Sequence, residues 1–162
     1  MITVIGIGTM FRGDDVAGLA VCRKINALAR PGVRCLEQSG DGALLLDTWR
    51  GADTVIVCDA VMSAGPPGAL YEFDAQKDTL PEQFFSYSTH QFGLAESVKL
   101  AEHLGLLPQR LLIVGIAGKT FALGAPLSDE VSAAVTAAVA RIEAMIAAII
   151  AESATSDAEY AE

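Results

Sequence analysis

The sequence predicts an α/β fold, a single three-layer domain with a twisted, mostly parallel sheet flanked by helices on both faces. Short segments rich in β-branched residues alternate along the chain with longer segments of helical apolar spacing. This alternation is typical of βαβ units, whose strands run parallel and whose helices cover the sheet. The chain has 162 residues, 52% of them apolar, which is enough for one hydrophobic core.

Five segments are predicted to be strands because each is a short apolar stretch bounded by glycine, proline or polar residues. They cover residues 2–7, 33–36, 54–58, 69–73 and 111–116. The fourth of them follows a turn of prolines and glycines and alternates in polarity. We therefore expect that strand to be half exposed and to run antiparallel to the others.

Four helices are predicted from the spacing of their apolar residues. They cover residues 14–28, 41–49 and 90–104, together with a long last helix that begins after Ser128. Arg141 and Glu143 interrupt the apolar stretch of the last helix, which argues against a membrane span. We expect a folded domain over 1–151 and an acidic, flexible tail over 152–162.

Charge and cysteine content exclude several classes of function. The net charge is -9 and the 11 lysines and arginines are scattered, so nucleic acid and anionic membrane are poor partners. Cys22, Cys35 and Cys58 form neither a CxxC pair nor a zinc pattern, and we expect buried free thiols. The N-terminal residues lack the pattern of a signal peptide, which together with the free thiols favours a cytoplasmic location.

Three polar residues are predicted to meet at the carboxyl edge of the sheet. Asp15 is at the start of the helix after the first strand, Asp59 follows the third strand, and His90 begins the third predicted helix. Ligand sites in open α/β sheets lie beyond the carboxyl ends of the strands. A histidine at a helix start is favoured in its neutral form, which is the form that metals bind. Two carboxylates and one imidazole form a plausible open site for a zinc-like or nickel-like ion.

The first strand also allows two simpler interpretations. Gly6 and Gly8 resemble the start of a dinucleotide fingerprint, but Phe11 occupies the third glycine position. Asp14 and Asp15 would repel a pyrophosphate at that helix start. Helix capping accounts for one of these aspartates but hardly needs both.

Several ordered blocks of the chain resemble the hydrogenase maturation endopeptidases, which trim the C-terminal extension from the large-subunit precursor of nickel-iron hydrogenases. The resemblance covers nearly the whole chain. The blocks that carry it are Gly6–Gly18, Val55–Val61, Ser88–Leu94, Val114–Ile116 and Leu127–Val131.

The resemblance implies an aspartyl-type endopeptidase that recognises nickel already inserted in the precursor. The family's metal-contacting residues correspond here to Asp15, Asp59 and His90, which we also expect to be the catalytic residues. Nickel would arrive with the substrate, so no tightly bound intrinsic cofactor is expected. The sequence does not decide whether a metal-activated water or a carboxylate attacks the peptide bond.

The expected partner is the hydrogenase precursor, and the expected state of the enzyme is a monomer. Thr9, Asp41 and Gln91 are the expected substrate-binding residues, although Thr9 replaces the asparagine that the family has there. Residues 74–89 have no clear period, and we expect Phe84 and Phe85 in this loop to contact the partner without supporting the core.

Two alternative functions stay open on the sequence alone. One is a stand-alone metallopeptidase with its own zinc, although the chain has no H-E-x-x-H helix. The other is a nucleotide-binding regulatory module on a similar α/β fold.

Overall fold

The computed structural model describes residues 1–85 and 91–159, and their side chains as far as residue 156. Its strands are β1 (Ile2–Ile7), β2 (Val33–Gln38), β3 (Thr54–Val61), β4 (Leu70–Asp74) and β5 (Arg110–Ala117). Its α-helices are α1 (Ala17–Ala27), α2 (Gly42–Trp49), α3 (Leu94–Leu104) and α4 (Asp129–Glu159). Two short 3₁₀ helices, Gly13–Val16 and Glu82–Phe84, precede α1 and α3.

The strands form one sheet in the order β2-β1-β3-β5-β4. All neighbouring pairs are parallel except β4 and β5, which are antiparallel as the alternation of β4 predicted. The three central strands are almost entirely buried, which explains their β-branched composition. The predicted α/β fold class is confirmed.

Helices cover both faces of the sheet, and each face has its own core. Helices α1 and α4 pack on one face, over alternate strand residues such as Ile56 and Cys58. Helices α2 and α3 pack on the other face, over residues such as Val55 and Val57. Asp59 continues this second alternation and is therefore directed to the side of the sheet that α2 and α3 cover.

Helix α4 is long and apolar enough to cross a membrane by length and composition, with a mean hydropathy of 1.9. A stripe from Val131 to Ile149 is nevertheless buried against the sheet, as expected for the core helix of an α/β domain. The helix continues to Glu159, through residues that the sequence predicted to form a tail. Alanine and glutamate favour helix, which explains this continuation. Arg110 of β5 also donates a hydrogen bond to Glu152 within this part of the helix.

Three predicted boundaries are wrong in ways that affect the site. The first helix is preceded by a separate 3₁₀ turn, Gly13–Val16, which carries Asp15. Strand β3 continues to Val61 because it pairs with β5 up to its last residue, so Asp59 is within the strand and not after it. Helix α3 starts at Leu94 and not at residue 90. At this start the Glu96 side chain accepts a hydrogen bond from the Gly93 N–H.

Candidate functional site

Two glycines bring the start of α1 against strands β1 and β3. A Cβ on Gly8 would be 2.2 Å from the carbonyl oxygen of Asp15. A Cβ on Gly18 would be 2.2 Å from the Ile7 carbonyl and 2.4 Å from the Cys58 carbonyl. These neighbours are backbone atoms, so only residues without a Cβ permit the approach. The glycines of the first motif therefore place Asp15 at the ends of both β1 and β3.

Asp15 and Asp59 line one small pocket at the carboxyl edge of the sheet. The chain leaves β1 for β2 on one side and returns to β3 on the other, so this edge is the topological switch point of the sheet. The pocket volume is about 30 Å³, enough for an ion or one or two waters. The other lining residues are Ile7, Thr9, Arg12, Ser39, Gly40, Ala60, Phe84, Phe85 and Leu94.

The two carboxyl groups of the pocket hold their protons more strongly than ordinary aspartates. Burial, followed by repulsion from Asp15, raises the pKa of Asp59 well above its usual value, against a lowering hydrogen bond from the Ala60 N–H. Burial also raises the pKa of Asp15, although hydrogen bonds to Thr9 and the charge of Arg12 oppose the rise. Two adjacent carboxyls with raised pKa values are a common feature of catalytic and metal-binding sites.

Asp14, next to Asp15, has the opposite electrostatic character. Its side chain is fully buried and accepts hydrogen bonds from the N–H groups of Lys119, Thr120 and Ser128 and from the Ser128 hydroxyl. Burial alone would raise the pKa of Asp14, but these hydrogen bonds lower it. Sequence reasoning offered helix capping for one of the two adjacent aspartates without deciding which, and missed that Asp14 binds a loop more than 100 residues away. The presence of two adjacent aspartates, one more than the helix start needs, was the only sequence feature that indicated a second role for Asp14.

The remaining predicted site residues have different positions. Thr9 lines the pocket. Asp41 is the N-cap of α2 and accepts a hydrogen bond of 3.0 Å from the Leu44 N–H. Gln91 is exposed beside the start of α3 and is not among the residues that line the pocket. His90 lies outside the described residues, so its role in the site stays a prediction.

The phenylalanines of the loop before residue 86 form part of the core. Phe85 is only 8% exposed, and Phe84 makes edge-to-face contacts with Tyr71 and Phe73 at centroid distances of 4.9 and 6.2 Å. Both line the pocket. The expectation that they are free to contact a partner without supporting the core is therefore wrong.

Within residues 1–85 and 91–156 there is no cluster of three histidine, cysteine, aspartate or glutamate side chains that could hold a metal. The described part of the pocket thus supplies two carboxylate ligands. Carboxylate oxygens suit a divalent cation, and a further donor is needed for a tight site.

The cysteines are free thiols, as predicted. Burial raises the pKa of Cys22 to about 11, and burial followed by the nearby Asp59 charge raises that of Cys58 further. Cys35 is partly buried, and its pKa is also raised. Thiols with raised pKa values are poor nucleophiles at neutral pH.

Comparison with known proteins gives the family of the chain. A family model described as hydrogenase maturation protease matches residues 20–145. The chain belongs to this family. The resemblance noted from the sequence blocks is confirmed by this match, which includes Asp59 and begins five residues after Asp15.

Relatives of this chain include hydrogenase expression proteins and solved endopeptidases. The hydrogenase expression/formation protein HupD of Thiocapsa roseopersicina is 34% identical over 122 residues, which is 71% of this chain and 53% of that protein. The chain therefore spans about half the length of that relative.

Solved structures have the same fold. The hydrogenase maturating endopeptidase HybD of Escherichia coli matches with a TM-score of 0.75 and 24% identity, over 90% of this chain and 91% of that one. The [NiFe] hydrogenase maturation protease HybD of Thermococcus kodakarensis matches with a TM-score of 0.65 and 26% identity, over 89% and 97%.

Proposed function

We propose that this protein is an endopeptidase that removes the C-terminal extension of a nickel-iron hydrogenase large-subunit precursor after nickel insertion. Asp15 and Asp59, together with His90, contact the nickel that the precursor carries. The observation that carries the proposal is the pairing of Asp15 and Asp59 in one pocket at the switch point of a maturation-protease fold.

The electrostatics of the pocket support recognition of a cation. Asp59 is destabilised as a carboxylate by burial and by the negative charge of Asp15. A divalent cation between the two groups would remove this repulsion, so the pocket favours a substrate that brings positive charge. A precursor without its metal leaves the repulsion in place, which couples binding to completed nickel insertion.

The same two groups can exchange protons during peptide hydrolysis. A carboxyl whose pKa is raised toward neutral can act as a general acid or as a general base near physiological pH. The pKa values of both Asp15 and Asp59 are raised by burial, so either carboxyl can take this role. The nickel of the substrate can polarise the carbonyl group or a water molecule at the cut.

The test is a cleavage assay with the purified hydrogenase precursor, with and without nickel, in which release of the C-terminal fragment is measured by mass spectrometry. Asp15→Asn, Asp59→Asn and His90→Ala should each abolish nickel-dependent release. Asp47→Asn is the matched control because Asp47 is exposed on α2 and lies outside the pocket. That control should cleave like the unmodified protein.

Cleavage of nickel-free precursor at the same rate would refute recognition of nickel by the site. Cleavage of unrelated peptides, supported by a tightly bound zinc in the purified protein, would favour the stand-alone metallopeptidase. Binding of nucleotide in calorimetry would favour the regulatory module, although two adjacent carboxyls in the pocket disfavour phosphate. The cytoplasmic location and the monomeric state stay predictions.

A further inference from the structure

Two loops meet beside the pocket and are joined through their backbones. The first comprises residues 9–12, after β1, together with Gly13 at the start of the 3₁₀ turn, and the second comprises residues 118–127, after β5. The Gly124 N–H donates to the Phe11 carbonyl at 2.7 Å, and the Gly13 N–H donates to the Ala125 carbonyl at 3.1 Å. The two loops therefore form one structural unit.

The buried Asp14 carboxylate fixes the second loop at both ends. It accepts hydrogen bonds from Lys119 and Thr120 at the start of that loop and from Ser128 just after its end. The Asp14 N–H in turn donates to the Thr120 carbonyl at 2.8 Å. Hydrogen bonds to a buried charged acceptor are among the stronger ones in proteins. The loop is thus held in place next to the turn that carries the catalytic candidate Asp15.

Each loop presents a large, strongly exposed apolar side chain to solvent, and the first loop also exposes Met10 to a lesser degree. Phe11 is 75% exposed and Leu123 is 76% exposed, more than any other large apolar side chain of the described region apart from the N-terminal Met1. Isolated exposed apolar residues are ordinary, but these two belong to loops that are hydrogen-bonded to each other. We call Phe11 and Leu123 the apolar rim.

The backbone at Phe11 is in an unfavourable conformation for its side chain. Its φ is +65°, in the left-handed region that residues with a Cβ rarely adopt. Such a conformation is strained and persists only where surrounding contacts hold it. Here the hydrogen bond from Gly124 to the Phe11 carbonyl is one of those contacts. The exposed ring gains nothing from burial that would offset this cost.

The rim is continuous with the pocket through neighbouring residues. Thr9 and Arg12, on either side of Phe11 in the first loop, both line the pocket. The loop that carries Phe11 therefore borders the pocket that holds Asp15 and Asp59. Of the two phenylalanines that the sequence suggested for partner contact, Phe85 is buried and Phe84 is partly buried, so neither is as exposed as Phe11.

We propose that the apolar rim binds the polypeptide of the hydrogenase precursor next to the cut, through apolar side chains of that segment. This inference rests on the proposed function. The pocket selects for the metal, while the rim selects for the chain that carries it. Asp14 is a positioning residue for this surface because it holds the second loop against the first.

The test measures equilibrium binding of purified nickel-loaded precursor to the full chain by calorimetry, apart from cleavage. Phe11→Ala and Leu123→Ala should each weaken binding about tenfold, since burying a large apolar side chain contributes about that factor. Phe11→Asn is a second variant whose backbone tolerates the left-handed conformation, which guards against misfolding. Leu104→Ala and Leu28→Ala are matched controls, because both leucines are at least 50% exposed and far from the pocket in the fold.

Weaker binding of the rim variants, with unchanged binding of the controls and unchanged melting temperatures, would support the rim. In the cleavage assay the same variants should raise KM and leave kcat within about twofold. Equal binding of rim variants and unmodified protein would overturn the rim and leave the proposed function standing. Rim-dependent binding without any cleavage would support the rim and overturn the proposed endopeptidase. If the unmodified protein does not bind the precursor, both fail.

Discussion

Adjacent aspartates in this protein should have opposite effects on stability when each is replaced by its uncharged isostere. Asp14→Asn should destabilise the fold, and Asp15→Asn should not. Asp14 accepts through Oδ1 from the Ser128 N–H at 2.8 Å. Through Oδ2 it accepts from the Lys119 and Thr120 N–H groups at 2.7 and 3.1 Å and from the Ser128 hydroxyl at 2.9 Å.

The size of the effect follows from these contacts. An asparagine oxygen at the Oδ2 position keeps three bonds, but the amide NH₂ then faces the Ser128 N–H, which is a donor. One hydrogen bond to a charged group is lost, at about 1.5 to 3 kcal/mol, and a buried donor is left unsatisfied. We expect a loss of about 3 kcal/mol in the free energy of unfolding. For a chain of this size, that lowers the melting temperature by about 6 to 12 °C.

Asp15 provides the matched control one residue away. Burial raises the pKa of Asp15, which means that the fold disfavours its charged form. Removing the charge should leave the melting temperature unchanged or raise it at pH 7.5. The two variants differ from each other only in which of the neighbouring carboxyls is neutralised.

The assay is thermal unfolding of both variants and the unmodified protein between pH 3 and pH 7.5. The pKa of Asp14 is lowered from 3.8, so its stabilising effect is present above that pH and is lost as the pH falls through the lower folded value. The deficit of Asp14→Asn should therefore shrink only at acidic pH. An Asp14→Asn protein that melts within about 2 °C of the unmodified one at pH 7.5 would refute the hydrogen-bond argument. A large deficit for Asp15→Asn would refute the assignment of the two roles.

Three further predictions concern the same region. Gly18→Ala places a Cβ 2.2 Å from the Ile7 carbonyl oxygen. Alanine gains about 1 kcal/mol of helix propensity over glycine, but the clash should outweigh this gain. The variant should therefore have both a lower melting temperature and a lower precursor affinity. Gly105→Ala has open space at its Cβ position but a φ of +66°, so it should lower the melting temperature through backbone strain and leave the precursor affinity unchanged. Asp59→Asn should stabilise the fold at pH 7.5 and lose that advantage toward pH 4. The reason is that the pKa of Asp59 is raised in the folded state, so the stability of the unmodified protein falls as the pH rises. Equal melting curves of the variant and the unmodified protein at pH 7.5 would contradict this. Cys22 should resist iodoacetamide in the native protein at pH 7.5, since its pKa is about 11, and rapid labelling seen by mass spectrometry would show that the thiol is accessible as a thiolate.

The fold was predictable because each of its elements has a strong local signal. Strand β1, for example, is a continuous β-branched segment, and in the structure all of its residues are buried. The boundaries were less predictable because they depend on pairing. Strand β3 extends to Val61 only because β5 offers partners up to Ala117, which no local pattern in β3 records.

The site was partly predictable, because two of its residues lie at the ends of elements that have strong local signals. Asp15 and Asp59 follow from the rule that parallel strands bring their carboxyl ends to one edge, and the structure places both in one pocket. The role of Asp14 was not predictable, because its hydrogen-bond donors are more than 100 residues away in the chain. The position of Phe85 in the core was also hidden, since an irregular loop has no period from which burial can be read.

The sequence by itself therefore determined the α/β class, the order of the elements and the residue types available at the switch point, because periodicity and glycine spacing are local properties. Only the tertiary structure decided that Asp14, next to the predicted site residue Asp15, anchors a distant loop. It also decided that Phe11 and Leu123 are exposed on joined loops while Phe85 is enclosed. The physical reason is that burial and hydrogen-bond partners are set by segments far apart in the chain, and those segments meet only when the sheet and its loops assemble.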